Sequence, residues 1–300
     1  VSKLWGIDLG GTKIEGVVLP DHDSIQPICR LRIPTEADQG YQHIIDQLAK
    51  MVGMLEETAG DSCPALGIGT PGASDPTTGL MKNSNTTSLN GKPLLTDLKG
   101  NLGRKVILAN DANCFALAES QLGAAKGADV VFGVIMGTGV GGGLVVRGSI
   151  LNGSQGIAGE WGHNLLEPGG AACYCGKVGC VETVLAGPWL ERFYQRHSGN
   201  HLHLPEILAF AREGNDQVAV ATLHRLTEKF GEGLSVVINI LDPDVVVLGG
   251  GVGNVDELYT HGVASLQKYV FNSTLHTRVV RPKLGDSAGV FGAAHLSREV

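Results

Sequence analysis

The sequence predicts a two-domain α/β protein, and three observations carry that prediction. Strand-like and helix-like segments alternate along 300 residues, a length that suits two domains at about 100–200 residues each. The 44 glycines are about double the usual share of roughly 7%. They follow no collagen-like period and gather where strands run into turns. Finally, Gly6, Gly10 and Gly16 recur at Gly133, Gly137 and Gly143, all shifted by one interval, with Val18 and Val145 in the same register. Each half therefore offers a strand, a glycine turn and a second strand. Clefts between domains are favoured ligand sites, so the two turns are expected to serve one ligand held between the halves.

The elements follow in order. Residues 3–9, 13–19 and 27–34 read as successive strands with tight turns. A helix is expected from about Gly40 to Glu57, because Ile44, Ile45, Leu48, Met51, Val52 and Leu55 keep helical spacing. A strand at 65–70 ends in Thr70-Pro71-Gly72, and residues 73–92 form a polar loop. A short helix near 93–102 leads to a strand at 105–109 and a helix starting at Asp111. The pattern restarts with strands at 130–136 and 143–147, and an irregular stretch covers 148–185. Helices dominate to about Asn239. A strand at 244–248, another helix, a strand near 277–281 and a helix from about Ser287 complete the chain. The expected domains are 1–115 plus 286–300, and 116–285.

Net charge is −7 and the isoelectric point about 5.8, which argues against extended nucleic-acid binding. A small phosphate ligand needs no such surplus, because backbone N–H groups can hold it. No apolar run reaches the roughly 18 residues of a membrane span, and the N-terminus runs straight into strand-like sequence rather than a leader. A cytoplasmic enzyme is expected, and there its six cysteines are thiols or metal ligands before they are disulfides.

The first turn, Gly6-Ile7-Asp8-Leu9-Gly10-Gly11-Thr12-Lys13, narrowly misses the P-loop pattern, and Gly137-Thr138-Gly139-Val140-Gly141-Gly142 formally matches a dinucleotide fingerprint. Both of those motifs open a helix, whereas strand-like residues follow here. What remains is a pair of glycine hairpin turns. They serve either tight chain reversal alone or convergence of N–H groups on phosphate oxygens, with Thr12 and Thr138 as added donors. Asp8, at a strand end, is placed to hold a hydrated Mg²⁺. Asp111, between strand and helix, is either an N-cap or a base that accepts the proton of an attacking hydroxyl. Glu160, His163 and Glu182 supply acceptors and a donor suited to several hydroxyls; a solvated surface is the plainer alternative for Glu160 and Glu182. Cys173, Cys175 and Cys180 stand as C-x-C-x4-C with His163 ten residues upstream. That set suits a closed, tetrahedral, structural Zn²⁺, the alternative being reduced free thiols. With one imidazole nitrogen on the metal, the other would be free to meet a sugar hydroxyl. Cys29, Cys63 and Cys114 read as packing residues.

The sequence resembles the ROK sugar kinases. The resemblance runs through the Gly6–Lys13 motif, Asn110-Asp111-Ala112-Asn113, Gly137-Thr138-Gly139, Gly159-Glu160-Trp161-Gly162-His163, the cysteine cluster through Glu182, and Asp242-Pro243 followed by Gly249-Gly250-Gly251. It implies an actin-like ATPase (ribonuclease H-like) fold with an active-site cleft between the domains, ATP and Mg²⁺ as cofactors, and a homodimer. It makes Asp111 the catalytic base. It places Gly10, Gly11, Thr12, Lys13, Gly137, Thr138 and Gly139 at the nucleotide phosphates and Gly249, Gly250 and Gly251 beneath the adenosine. Asn85, Asn110, Glu160, His163 and Glu182 would contact the sugar, with Gly72 and Ala73 alongside through backbone groups. Asn83–Pro93, Glu160–Asn164 and Cys173–Lys177 look most like the bacterial fructokinase branch, so fructose, giving fructose 6-phosphate, is the expected substrate, with mannose or glucose secondary. An N-acetylglucosamine kinase is the alternative. Ser88 departs from the tryptophan expected in the fructokinase branch. A ROK transcriptional regulator would need a helix-turn-helix domain, for which the sequence before Gly6 leaves no room.

Overall fold

The computed structural model describes residues 2–285 and 288–299. The expected start of the last helix at Ser287 therefore lies outside the described residues. The chain divides into two compact units. The first holds the residues up to Ala128, Gly143–Gly159 and those from Lys283 onward; the second holds Asp129–Gly142 and Glu160–Pro282. The division differs from the expected break at 115. Helix α3 (Asp111–Gln121) stays whole in the first unit, because a continuous helix packs as one body.

In the first unit, β1 (Leu4–Leu9), β2 (Lys13–Leu19), β3 (Cys29–Pro34), β4 (Ala65–Thr70) and β7 (Lys105–Asn110) form a sheet of order β3-β2-β1-β4-β7. The β1–β2 and β2–β3 pairs are antiparallel; β1–β4 and β4–β7 are parallel. Helix α1 (Tyr41–Ala59) buries Ile44, Ile45, Leu48, Met51, Val52 and Leu55, the stripe its spacing predicts, and ends on Gly60 in the left-handed region. Each such side chain contributes about 1.5–3 kcal/mol by leaving water. The stripe joins Trp5, Ile7, Leu9, Ile14 and Val18 in one core. Gly16 makes that contact possible, since a Cβ there would lie 2.7 Å from the Met51 sulfur.

The opposite face of β1 and β4 meets α10 (Ala288–Leu296) at backbone distance. A Cβ at Gly6 would lie 2.2 Å from the Ala294 nitrogen, and one at Gly67 would lie 1.8 Å from the Ala293 oxygen. Gly292 brings α10 equally close to Cys114 of α3. The C-terminal helix thus packs back on the N-terminal sheet.

The polar loop expected at 73–92 contains β5 (Ala73–Ser74) paired with β6 (Met81–Lys82), and a short 3-10 turn at Thr87–Leu89. Helix α2 (Leu94–Leu102) precedes β7.

The second sheet repeats the first. Its order is β10-β9-β8-β11-β12, from β8 (Val130–Met136), β9 (Val140–Val146), β10 (Ser149–Ile150), β11 (Val245–Gly249) and β12 (Arg278–Val280). The β9–β10 pair is antiparallel, and β11 lies parallel to both β8 and β12. Strand β9 begins three residues before the expected 143. The glycine run from Gly141 is therefore strand rather than turn. Gly143, within the first unit, has its Cα so close to α3 that a Cβ would sit 2.3 Å from the Ala112 oxygen. Helices α4 (Glu182–Leu185), α5 (Gly187–Ser198), α6 (Leu204–Glu213), α7 (Gln217–Leu241), α8 (Gly250–Gly253) and α9 (His261–Tyr269) belong to the second unit. Among the described residues no helix is long and apolar enough to cross a membrane.

Candidate functional site

In the first unit the expected residues gather at the C-terminal ends of β1, β4 and β7. The turn after β1 is closed by the Gly10 N–H donating to the Lys13 oxygen at 2.9 Å. Thr35, fully buried, braces it twice: its hydroxyl donates to the Gly10 oxygen at 2.6 Å, and its N–H donates to the Thr12 oxygen at 3.0 Å. Thr35 carries no sequence signal beyond following a proline, and sequence reasoning missed it. Gly11, Thr12 and Lys13 are exposed at the tip.

Asp8, the penultimate residue of β1, lies beside Gly69 and Gly289. Its pKa is raised to about 6, first by burial, then by the Asp111 and Glu15 carboxylates, with Lys13 opposing. Burial also raises Asp111, against the pull of the Ala112 N–H, which donates to its Oδ1 at 2.8 Å. Asp111 is nevertheless solvent-accessible. Two carboxylates held up in pKa at one end of a sheet favour a shared proton or a cation. Glu15, opposite Asp8 on β2, behaves otherwise. Burial would raise it, but hydrogen bonds from Arg30 and Arg32 override this and hold it below the usual range.

The capping question at α3 resolves onto the neighbouring residue. Asn110 is the N-cap, its Oδ1 accepting from the Ala112 N–H at 2.8 Å and the Asn113 N–H at 3.4 Å, and Asp111 is the first helical residue. This leaves the Asp111 carboxylate projecting from the strand–helix junction. Gly72 adopts φ 83°, and a Cβ there would come 2.5 Å from the Lys82 oxygen and 2.8 Å from the Ser84 Cα. The Gly72–Ala73 turn is thus pressed against the loop carrying exposed Asn85. Asn90 ties that loop, accepting from the Ser84 N–H and donating to the Ser84 oxygen at 2.9 Å each.

In the second unit the turn after β8 is closed by the Gly137 N–H donating to the Gly139 oxygen at 2.9 Å, and the Gly137 oxygen accepts from the Gly187 N–H at 2.8 Å. Thr138 is exposed at the tip. Glu182 is tied to this turn. Its Oε2 accepts from the Val140 N–H at 3.0 Å and would lie 2.7 Å from a Cβ on Gly139. It is 8% exposed, so the solvated-surface alternative does not hold for it. Gly249 ends β11 and Gly250 turns back with φ 80°, where a Cβ would lie 2.2 Å from the Met136 oxygen.

The metal-ligand set comes together. The donor atoms of His163, Cys173, Cys175 and Cys180 all lie within 4.8 Å of one another. His163 Nδ1 is 3.6 Å from Cys173 Sγ, and Cys175 Sγ is 3.6 Å from Cys180 Sγ. Zinc–sulfur bonds of about 2.3 Å in a tetrahedron put sulfurs about 3.8 Å apart, so both the spacing and the donor chemistry fit. The loop is shaped by Gly176 at φ 87° and by Gly179, where a Cβ would strike the Glu167 oxygen at 1.8 Å. Glu167 in turn accepts a two-pronged bond from Arg225 of α7 at 2.8 Å on each arm. One expectation is changed here. The second nitrogen of His163 is not open, because Nε2 lies 3.0 Å from the Tyr174 hydroxyl. Cys29, Cys63 and Cys114 are all buried, which fits packing roles.

Comparison with known proteins gives these features a family. The ROK family model matches residues 4–300. The chain is 34% identical to an N-acetyl-D-glucosamine kinase of Vibrio atlanticus, covering 98% of this chain and 99% of that one. It is 35% identical to an N-acetyl-D-glucosamine kinase of Escherichia coli, covering 97% and 98%. Among solved structures, a ROK hexokinase from Thermus thermophilus superposes with a TM-score of 0.89 at 34% identity, covering 99% and 98%. A ROK glucokinase from Streptomyces griseus, in complex with glucose and AMPPNP, gives 0.78 at 29% identity over both full chains. The two-sheet α/β architecture described above is the actin-like ATPase fold of these kinases. The expectation of fructose is corrected by the curated relatives, which are named for N-acetyl-D-glucosamine across nearly the whole chain. The physical reason is that the sugar-site motifs supply partners for hydroxyls common to many hexoses, and carry no mark of the substituent at one carbon. The chain belongs to the ROK family, as one of its sugar kinases.

Proposed function

We propose that this kinase transfers the γ-phosphoryl group of ATP to a hydroxyl of N-acetyl-D-glucosamine. The observation that carries the reading is the match to curated N-acetyl-D-glucosamine kinases over 97–98% of the chain. Ser88, where the fructokinase pattern expects tryptophan, supports it by removing an aromatic wall and leaving more room around the sugar.

Asp111 accepts the proton of the attacking hydroxyl, and its raised pKa makes it a better base than an ordinary aspartate. Asn85, Asn110, Glu160, His163 and Glu182 orient the sugar, with backbone groups of Gly72 and Ala73 alongside. The N–H groups of Gly10, Gly11, Gly137 and Gly139, with Thr12, Lys13 and Thr138, bind the nucleotide phosphates, and Gly249, Gly250 and Gly251 lie under the adenosine. Mg²⁺, when bound, neutralises phosphate charge; Asp8, desolvated beside Asp111, would hold it through water. Zn²⁺ on His163, Cys173, Cys175 and Cys180 would be structural, since four protein ligands leave no open position. A cytoplasmic location fits the ATP requirement. A homodimer belongs to the reading, and light scattering on the purified protein tests it.

The substrate reading is tested by ADP-release kinetics over N-acetylglucosamine, glucose, mannose and fructose. The proposal expects the highest kcat/KM for N-acetylglucosamine. A higher value for any other sugar of the panel refutes it.

A further inference from the structure

His163 has two ring nitrogens, and both are engaged. Nδ1 faces the cysteine cluster, 3.6 Å from Cys173 Sγ, while Nε2 lies 3.0 Å from the Tyr174 hydroxyl. The two rings meet edge to face, with centroids 5.2 Å apart at 88°. If Nδ1 is the acceptor turned to the metal, Nε2 carries the proton and donates it to the phenol oxygen. A sugar hydroxyl oxygen is the same kind of acceptor, so the phenol and a sugar compete for one N–H. Tyr174 is 80% exposed and is not locked in place by packing. Its hydroxyl thus lies on His163, one of the three side chains assigned to the sugar in this unit.

We propose that the Tyr174 hydroxyl occupies, in the sugar-free enzyme, the place on His163 Nε2 that a sugar hydroxyl takes on binding, and that Tyr174 must swing away for the sugar to enter. Tyr174 is then a positioning residue that sets sugar affinity. It keeps the imidazole oriented and its N–H satisfied until substrate arrives, and its displacement is charged against sugar binding. This rests on the reading that His163 contacts the sugar.

Tyr174→Phe keeps the ring and removes the competing oxygen. On zinc-loaded protein, the sugar KM and the calorimetric Kd are expected to fall about two- to ten-fold, the range of one hydrogen bond. The kcat, the ATP KM and the zinc content should stay as in the unmodified protein. An unchanged or raised sugar KM overturns the proposal, as does loss of zinc, which would make Tyr174 a brace for the metal ligand. The assay uses whichever hexose the unmodified protein phosphorylates, so failure of the N-acetylglucosamine reading shows in the sugar panel and failure of this proposal shows in the variant. Nitrogen-15 NMR supplies a readout independent of turnover. Sugar should shift the His163 Nε2 resonance in both proteins, and a resonance unmoved in both removes the contact on which the proposal rests.

Discussion

The two five-stranded sheets share one strand order, yet their glycine turns are crowded by different things. At the β1–β2 turn the neighbours are charged: Asp8 precedes it, Lys13 follows it, and the Asp111 and Glu15 carboxylates act on Asp8. At the β8–β9 turn the neighbours are mostly backbone, with the Gly187 N–H on Gly137 and the single Glu182 carboxylate on Val140. One topology has been used twice, once with carboxylates gathered at the turn and once with backbone brought close. The difference is that side-chain charge surrounds the first turn, whereas backbone and one buried carboxylate surround the second.

The comparison can be broken most sharply at Asp111. Asp111→Asn removes the proposed base and is expected to lower kcat about 10²- to 10⁴-fold, while sugar affinity measured by calorimetry changes little. A comparable loss of sugar affinity would place Asp111 with the binding residues. Cys175→Ser, in the second unit, should act the other way. Zinc is lost, sugar KM rises about ten-fold as the His163 loop loosens, and ATP KM is hardly moved; atomic absorption with steady-state kinetics checks this.

A smaller effect separates the two turns. Gly10 and Gly137 hold equivalent positions, but a Cβ would lie 2.9 Å from the Lys13 oxygen in one and no nearer than 3.9 Å to the Gly251 nitrogen in the other. Gly10→Ala should therefore cost about 1–2 kcal/mol and Gly137→Ala much less, read as the difference in Tm.

The last effect concerns the first unit's α10. His295 is 3% exposed, and both ring nitrogens lack a partner. Burial, aided by the Arg298 and His22 charges, lowers its pKa from 6.5 to about 4. Folding favours the neutral ring. Its contribution is complete above about pH 6.5 and is lost as pH falls from there toward 4, amounting to about 3 kcal/mol at most. His295→Leu should flatten the Tm-versus-pH curve over that window. A curve as steep as that of the unmodified protein would assign the acid sensitivity elsewhere.

Much of this was legible in the sequence. The α1 stripe and the repeated glycines fixed one helix and both hairpins, because periodicity and close approach leave residue-level marks. The four metal-ligand candidates were legible because their donors sit within one short loop. Other features were not. Strands β5 and β6 are two residues each and pair through backbone alone, leaving no side-chain alternation. The early start of β9 was hidden because glycines that fit against α3 read the same as glycines that turn. The bond from Val140 to Glu182 and the bracing of Gly10 by Thr35 join residues 42 and 25 positions apart, a separation local patterns do not reach. Tyr174 stands between two cysteines and reads as loop. The sugar itself was misread, because hydroxyl-binding motifs are common to several sugars.

The most direct test is a competition. Equimolar N-acetylglucosamine and fructose are mixed with limiting ATP and the protein, and the sugar phosphates are resolved by mass spectrometry. The account predicts N-acetylglucosamine phosphate as the dominant product, lost with Asp111→Asn. Predominance of fructose phosphate, or a product yield that survives the Asp111 substitution, would contradict it.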